Sequence, residues 1–202
     1  MSAVSDTSSE VPTSGRQSDR SASGPTRTDG AAALGASSLV LARGFAALRI
    51  FFGLIWLSNG IAKLIGVGSY DLGVVSFGLL WLPQAQFIAG DAAGGTTFAP
   101  LGGLYQDIVL ANFGFFGAFL TIAELAAGLA LLFGVLTRAA AVGTLLLITP
   151  IWLMYLVSDA TQYLWTYPVD LLPLLLLAIV PSGRTAGFDG RLAARFGDRW
   201  PF

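Results

Sequence analysis

From Phe113 to Phe133 the chain runs for twenty-one residues with a single ionisable group, Glu124, near the middle. A helix of that length, rising about 1.5 Å per residue, covers a hydrocarbon core of about 30 Å. Gly134-Val135-Leu136-Thr137-Arg138 follows at once, and another apolar run begins directly after it. The two helices must therefore return antiparallel, with Arg138 at the turn. The rest of the 202-residue chain agrees with a membrane setting: 54% of it is hydrophobic and 11% charged, and its mean hydropathy is +0.71. Soluble domains carry about 25% charged residues.

The first span is expected over about 39–65. Its cleanest window, 50–62, lies between Arg49 and Lys63. Arg49 is expected about 7 Å inside the apolar slab if the helix enters near Gly44, a costly place unless the guanidinium snorkels or pairs. The second span covers 113–134. The third, 139–157, contains Pro150, and the fourth, 160–180, contains Pro168, Asp170 and Pro173. Pro150 removes a backbone hydrogen bond and favours a bend, whereas Pro168 offers a start for the fourth helix with Asp170 in its first turn.

Between the first two spans, the outer segment 67–112 is too long for a turn. Its apolar run 74–83 stops at a proline after about ten residues, too few to cross. Residues 100–111 place Leu101, Leu104, Tyr105, Ile108 and Val109 at helical spacing, as in a helix lying in the interface.

Residues 1–37 are rich in Ser, Thr, Gly, Asp and Arg and are expected to form a disordered tail. No apolar core with a small-residue cleavage site precedes the first span, so that span is expected to act as its own insertion signal. Residues 182–202 read as a basic amphipathic tail, suited to anionic lipid. In a four-span arrangement Arg16, Arg20, Arg27, Arg43, Arg138, Arg184, Arg191, Arg195 and Arg199 fall on one side, and Lys63 alone on the other with Asp71, Asp91, Asp107 and Asp159. The positive-inside rule then gives a multi-pass protein of the plasma (inner) membrane with both termini cytoplasmic. The fold class expected is all-α: an integral membrane four-helix bundle, 38–181, with an interfacial helical segment between the first and second spans.

There is no Cys and no His, which removes disulfides, thiolate chemistry and the commonest metal, haem and cluster ligands. No metal site, nucleophilic triad or nucleic-acid signature is present. Gly94-Gly95 and Gly102-Gly103 lack the strand and the Lys-Ser/Thr of a phosphate loop.

The run Arg49, Gly53, Gly60, Lys63, the run Glu124, Gly128, Gly134, Thr137, Arg138, and the exit Pro181-Ser182-Gly183-Arg184 leading to Asp189 together resemble the DoxX family. The likeness is greatest to the DoxD-like small subunits of thiosulfate:quinone oxidoreductase. It covers roughly residues 43–192. Asn59 stands where many relatives carry His, and the usual Gly-Pro-Gly exit is altered. The resemblance implies a four-helix membrane protein linked to sulfur or thiol redox chemistry and to quinones.

Placing the spans antiparallel sets Glu124 and Asp170 at similar depth, about 15 Å from the inner boundary, within reach of Arg49. Arg49, Glu124 and Asp170 are the candidate catalytic centre, an intramembrane ion-pair site that binds a polar headgroup or relays a proton. The plainer reading has Arg49 and Glu124 neutralise each other and hold two helices in register, with Asp170 marking a helix start. Asn59, Lys63, Trp56 and Trp165 would give a quinone a hydrogen-bond donor and flat apolar walls. Alternatively, Lys63 is a snorkelling anchor and Trp165, with Tyr163 and Tyr167, part of an interfacial belt.

The function expected is the membrane subunit of a quinone-linked oxidoreductase acting on thiosulfate or thiols, with a diffusible quinone and a partner redox subunit. The alternatives are a non-catalytic anchor or assembly factor for a partner redox enzyme and, further off, a small-molecule transporter. A homo-oligomer is compatible with either of the first two. Lipid bilayer, not nucleic acid, is the expected surroundings.

Overall fold

The computed structural model describes residues 27–158 and 168–202. Trp165, Tyr163, Tyr167, Asp159 and residues 1–26 lie outside them. The chain divides into two units, Met1–Ser37 and Ser38–Phe202, and all packing described below belongs to the second.

Helix α1 runs Arg27–Ile65, α4 Phe113–Phe133 and α5 Thr137–Leu156; α6, Pro168–Ile179, is shorter. Three helices, over Ser37–Ile65, Phe113–Phe133 and Thr137–Leu156, are long and apolar enough to cross a membrane. Their outward faces carry exposed Leu54, Phe115, Ile122 and Leu146, a greasy surface that fits lipid rather than water. Helix α1 begins within the stretch expected to be tail. Ala31-Ala32-Ala33-Leu34 has the strongest helix propensity in that region, and this outweighs its polar flanks.

Glycine sets the spacing of α1 and α4. A Cβ on Gly53 would lie 2.6 Å from the Leu132 nitrogen, one on Gly128 2.4 Å from the Leu57 nitrogen, and one on Gly60 3.0 Å from the Leu125 nitrogen. The two backbones are in near contact along an antiparallel seam of a single register, the close approach that small residues permit in membrane helices. Phe52 of α1, Leu131 of α4, Ala141 of α5, and Leu174 and Leu177 of α6 share one buried cluster.

The described residues are mostly helical, as the all-α expectation has it, and the outer segment adds two strands of three residues each. After α1 comes a short antiparallel hairpin, β1 (Ser69–Asp71) with β2 (Ser76–Gly78), pairing Tyr70 with Phe77. Its turn is held by Asp71, whose carboxylate accepts from the Gly73 N–H at 2.9 Å and the Ser76 hydroxyl at 3.0 Å. Gly73, at φ +81, supplies the left-handed residue this needs. Of the apolar run 74–83, residues 74–81 thus form a strand and its flanks, and 82–83 open the next helix.

Helix α2 (Leu82–Gly95) follows, with Pro83 in its first turn and Ala85, Ala89, Ala92 and Ala93 buried. The helix expected over 100–111 is present as α3 (Ala99–Leu104) running into a π-helical stretch, Tyr105–Leu110. This outer layer packs on α5 through Ala92, Ala93 and Met154. The Tyr155 hydroxyl donates to Asp91 at 2.8 Å, and the Thr97 N–H to the Val157 carbonyl at 2.8 Å.

Candidate functional site: an apolar cavity with a buried ion pair

The seam register decides which charges meet. Glu124 on α4 faces α1 two residues short of Lys63, and the Lys63 ammonium sits 2.7 Å from the Glu124 carboxylate with both side chains withdrawn from solvent, at 0% and 5% exposure. Lys63 also donates to the Leu80 carbonyl at 2.6 Å. One turn earlier, the Asn59 side-chain oxygen accepts the Leu80 N–H at 3.0 Å. Asn59 and Lys63 together clamp the strand exit at Leu80 onto α1. Because a backbone donor occupies the Asn59 oxygen, its amide NH2 is the end left for a ligand.

Beside this clamp lies a cavity of about 610 Å³, within the range of small-molecule sites. Its wall is aromatic and aliphatic, with Phe52, Trp56, Tyr105, Phe113, Phe116 and Pro150, and its polar edge is Asn59, Glu124 and Asp170. Burial pushes the Tyr105 hydroxyl above its ordinary range, so it stays a neutral donor. Asp170 projects from α6 and forms no hydrogen bond or ion pair among the described residues. Phe119 and Leu146 line the cavity and are also exposed, so it opens sideways between α4 and α5. Pro150, inside α5, lacks the N–H that would bond the Leu146 carbonyl, which loosens the helix beside that opening.

The expected Arg49–Glu124 pair does not form. Arg49 lies near the end of the seam, about twelve residues and hence about 18 Å from the part of α1 that faces Glu124. It is fully buried all the same. Its guanidinium grips the carbonyls that close α4, those of Leu131 and of Leu132, the latter at 3.0 Å, and the Ala186 carbonyl at 2.9 Å. A Cβ on Gly134 would stand 2.8 Å from that guanidinium. Lys63, expected beside a quinone or as a snorkelling anchor, is the partner of Glu124. Sequence reasoning missed this, although Gly53, Gly60 and Gly128 held the register that would have given it.

Asp189 completes the Arg49 end. Its carboxylate accepts the Leu136 N–H at 2.6 Å and the Thr137 N–H at 3.0 Å, capping α5 from fifty-two residues away. The Phe188 and Asp189 N–H groups donate to the Phe133 and Gly134 carbonyls. With the Val135 N–H on the Ala130 carbonyl, every carbonyl from Ala130 to Gly134 has a partner, as apolar surroundings demand. Gly183 is required here, since a Cβ would fall 2.1 Å from Asp189 Oδ2.

Of the sequence-derived candidates, Trp56, Asn59, Glu124 and Asp170 line one cavity and Lys63 joins it through Glu124. Arg49 belongs to the opposite cluster. Among the described residues no group of acidic or other metal-ligating side chains could hold a metal ion. No family model, curated protein or solved structure matches the chain. Fold and site define a mostly helical protein with membrane-length helices and an apolar cavity edged by a buried ion pair.

Proposed function

We propose that the chain is a DoxX-like membrane subunit of a quinone-linked oxidoreductase acting on thiosulfate or thiols. In this reading it is a four-helix bundle of the plasma membrane, with α6 as part of the fourth span and both termini cytoplasmic. The observation that carries it is the cavity: flat aromatic walls, a lateral opening toward lipid, and one polar edge where the Asn59 amide is a free donor beside Glu124. Those residues fit a quinone head, which asks for a donor to its carbonyl and apolar walls along its ring and tail. A bound quinone would supply the electron acceptor, taking two electrons and two protons.

This chain supplies the setting. The Asn59 amide orients a ligand carbonyl, Trp56 and Phe116 exclude water, and Lys63 offsets the charge of Glu124. Asp170, without a partner among the described residues, is the group best placed to hand over a proton. With no Cys or His, the electrons come from a partner redox subunit. The residues of the DoxX-like runs support the reading, because Arg49, Gly53, Gly60, Lys63, Glu124, Gly128, Gly134, Gly183 and Asp189 are the ones that meet across helices.

A second reading, an anchor or assembly factor, draws on the hairpin tip, where Leu72, Val74 and Val75 are exposed. Purification from native membranes separates the two. Quinone retained with a redox partner supports the first; a stoichiometric partner enzyme without quinone supports the second and overturns the first.

A further inference from the structure

The C-terminal helix, α7 (Asp189–Phe196), is held at a fixed depth. The Phe188 and Asp189 N–H groups donate to the Phe133 and Gly134 carbonyls at 3.2 and 2.8 Å, and the Asp189 carboxylate caps α5. The helix therefore leaves from the plane where two membrane-length helices end. Cations and rings alternate along it: the Arg191 guanidinium lies 5.3 Å from the Phe188 ring centre, and that of Arg195 5.5 Å from the Phe196 ring centre. Phe188, Phe196 and Trp200 are exposed, as are Arg191, Arg195 and Arg199. The acid nearby, Asp198, is taken by Arg184, so among the described residues these three arginines have no ion-pair partner.

We propose that α7 and the residues after it form a docking surface for anionic phospholipid headgroups of the leaflet at the α4–α5 turn. Three uncompensated guanidiniums match phosphodiester oxygens, and the exposed rings match the boundary between headgroup and acyl chain. The anchoring bonds hold this surface in the plane where headgroups lie. This inference is independent of the quinone reading.

The full chain in micelles, doped equally with phosphatidylglycerol and phosphatidylcholine and examined by native mass spectrometry, provides the test. Wild type should retain phosphatidylglycerol over phosphatidylcholine by roughly a hundred-fold, with each arginine contributing roughly five-fold. R191Q/R195Q/R199Q should lose that preference, the triple lysine variant should keep most of it, and R195Q alone should weaken it if the triple variant fails to fold. Excess glycerol phosphate should leave the bound lipid in place. Equal retention of the two lipids by wild type, an unchanged preference in R195Q and the glutamine triple variant, or full displacement by glycerol phosphate would overturn the proposal. The last outcome would mark a site for soluble phosphoryl groups.

Discussion

Lys63 and Glu124 are each intolerable alone in an apolar interior, and their proximity makes both possible. Removing one partner leaves an uncompensated charge, which costs about 3–5 kcal/mol, whereas replacing both with apolar residues of similar volume is close to neutral. K63M and E124L should therefore each unfold at markedly lower denaturant in detergent, while K63M/E124L recovers most of the loss. A double variant as unstable as the sum of the singles would show that the pair is not what these residues are there for. Arg49 presents a different case, a cation answered by carbonyls. R49A leaves at least two buried acceptors bare at about 1–3 kcal/mol each, and a stability loss below that range would contradict the clasp. Arg49 and Glu124 were legible in the sequence as charges inside apolar runs, but their partners were not. Pairing depends on the sliding of one helix against another, and α1 offers two buried cations, Arg49 and Lys63, to the one acid of α4.

The contact between α1 and α4 tests the register itself. A side chain on Gly128 would enter the Leu57 backbone, so G128L should cost about 1–3 kcal/mol or prevent folding; G114A, with nothing within 4 Å of the added carbon, should be silent. Thermal unfolding of the two in the same detergent checks this, and equal midpoints would reject the seam.

The hairpin makes a pH prediction. Bonds from the Gly73 N–H and the Ser76 hydroxyl hold the Asp71 carboxyl below its usual range. The turn is then secured above the ordinary aspartate pKa of about 3.9 and loosened as pH falls through the lower folded value. Carboxyl-carbon NMR titration should show that depressed midpoint, and D71N should abolish the pH dependence of amide exchange at Gly73. The helices α1, α4 and α5 were readable from length and hydropathy alone. Residues 67–98 were not, because strands of three residues carry almost no period and α2 packs through alanines, which leave no large apolar stripe.

For the molecule as a whole, the proposed arrangement has α1 carry the chain across once, and the return of α4 into α5 brings the turn to the Arg49 end, where α7 is pinned. The hairpin and α7 should therefore face opposite sides of the bilayer. The chain has no native cysteine, so S69C and A194C can be labelled singly in sealed vesicles with an impermeant maleimide. One should react from outside and the other only after permeabilisation; reaction of both from one side would refute the arrangement. The cavity lies between these two ends, nearer the hairpin, walled by all the membrane-length helices and by the outer layer.

What occupies it is the central question. Equilibrium titration of a short-chain quinone into the nanodisc-held protein, read by quenching of tryptophan fluorescence, answers it most directly. Saturable quenching that weakens at least roughly ten-fold in N59L, the loss of one desolvated hydrogen bond, and that loses most of its amplitude in W56F, is the result the account predicts. Linear, unsaturable quenching identical in wild type, N59L and W56F would contradict it.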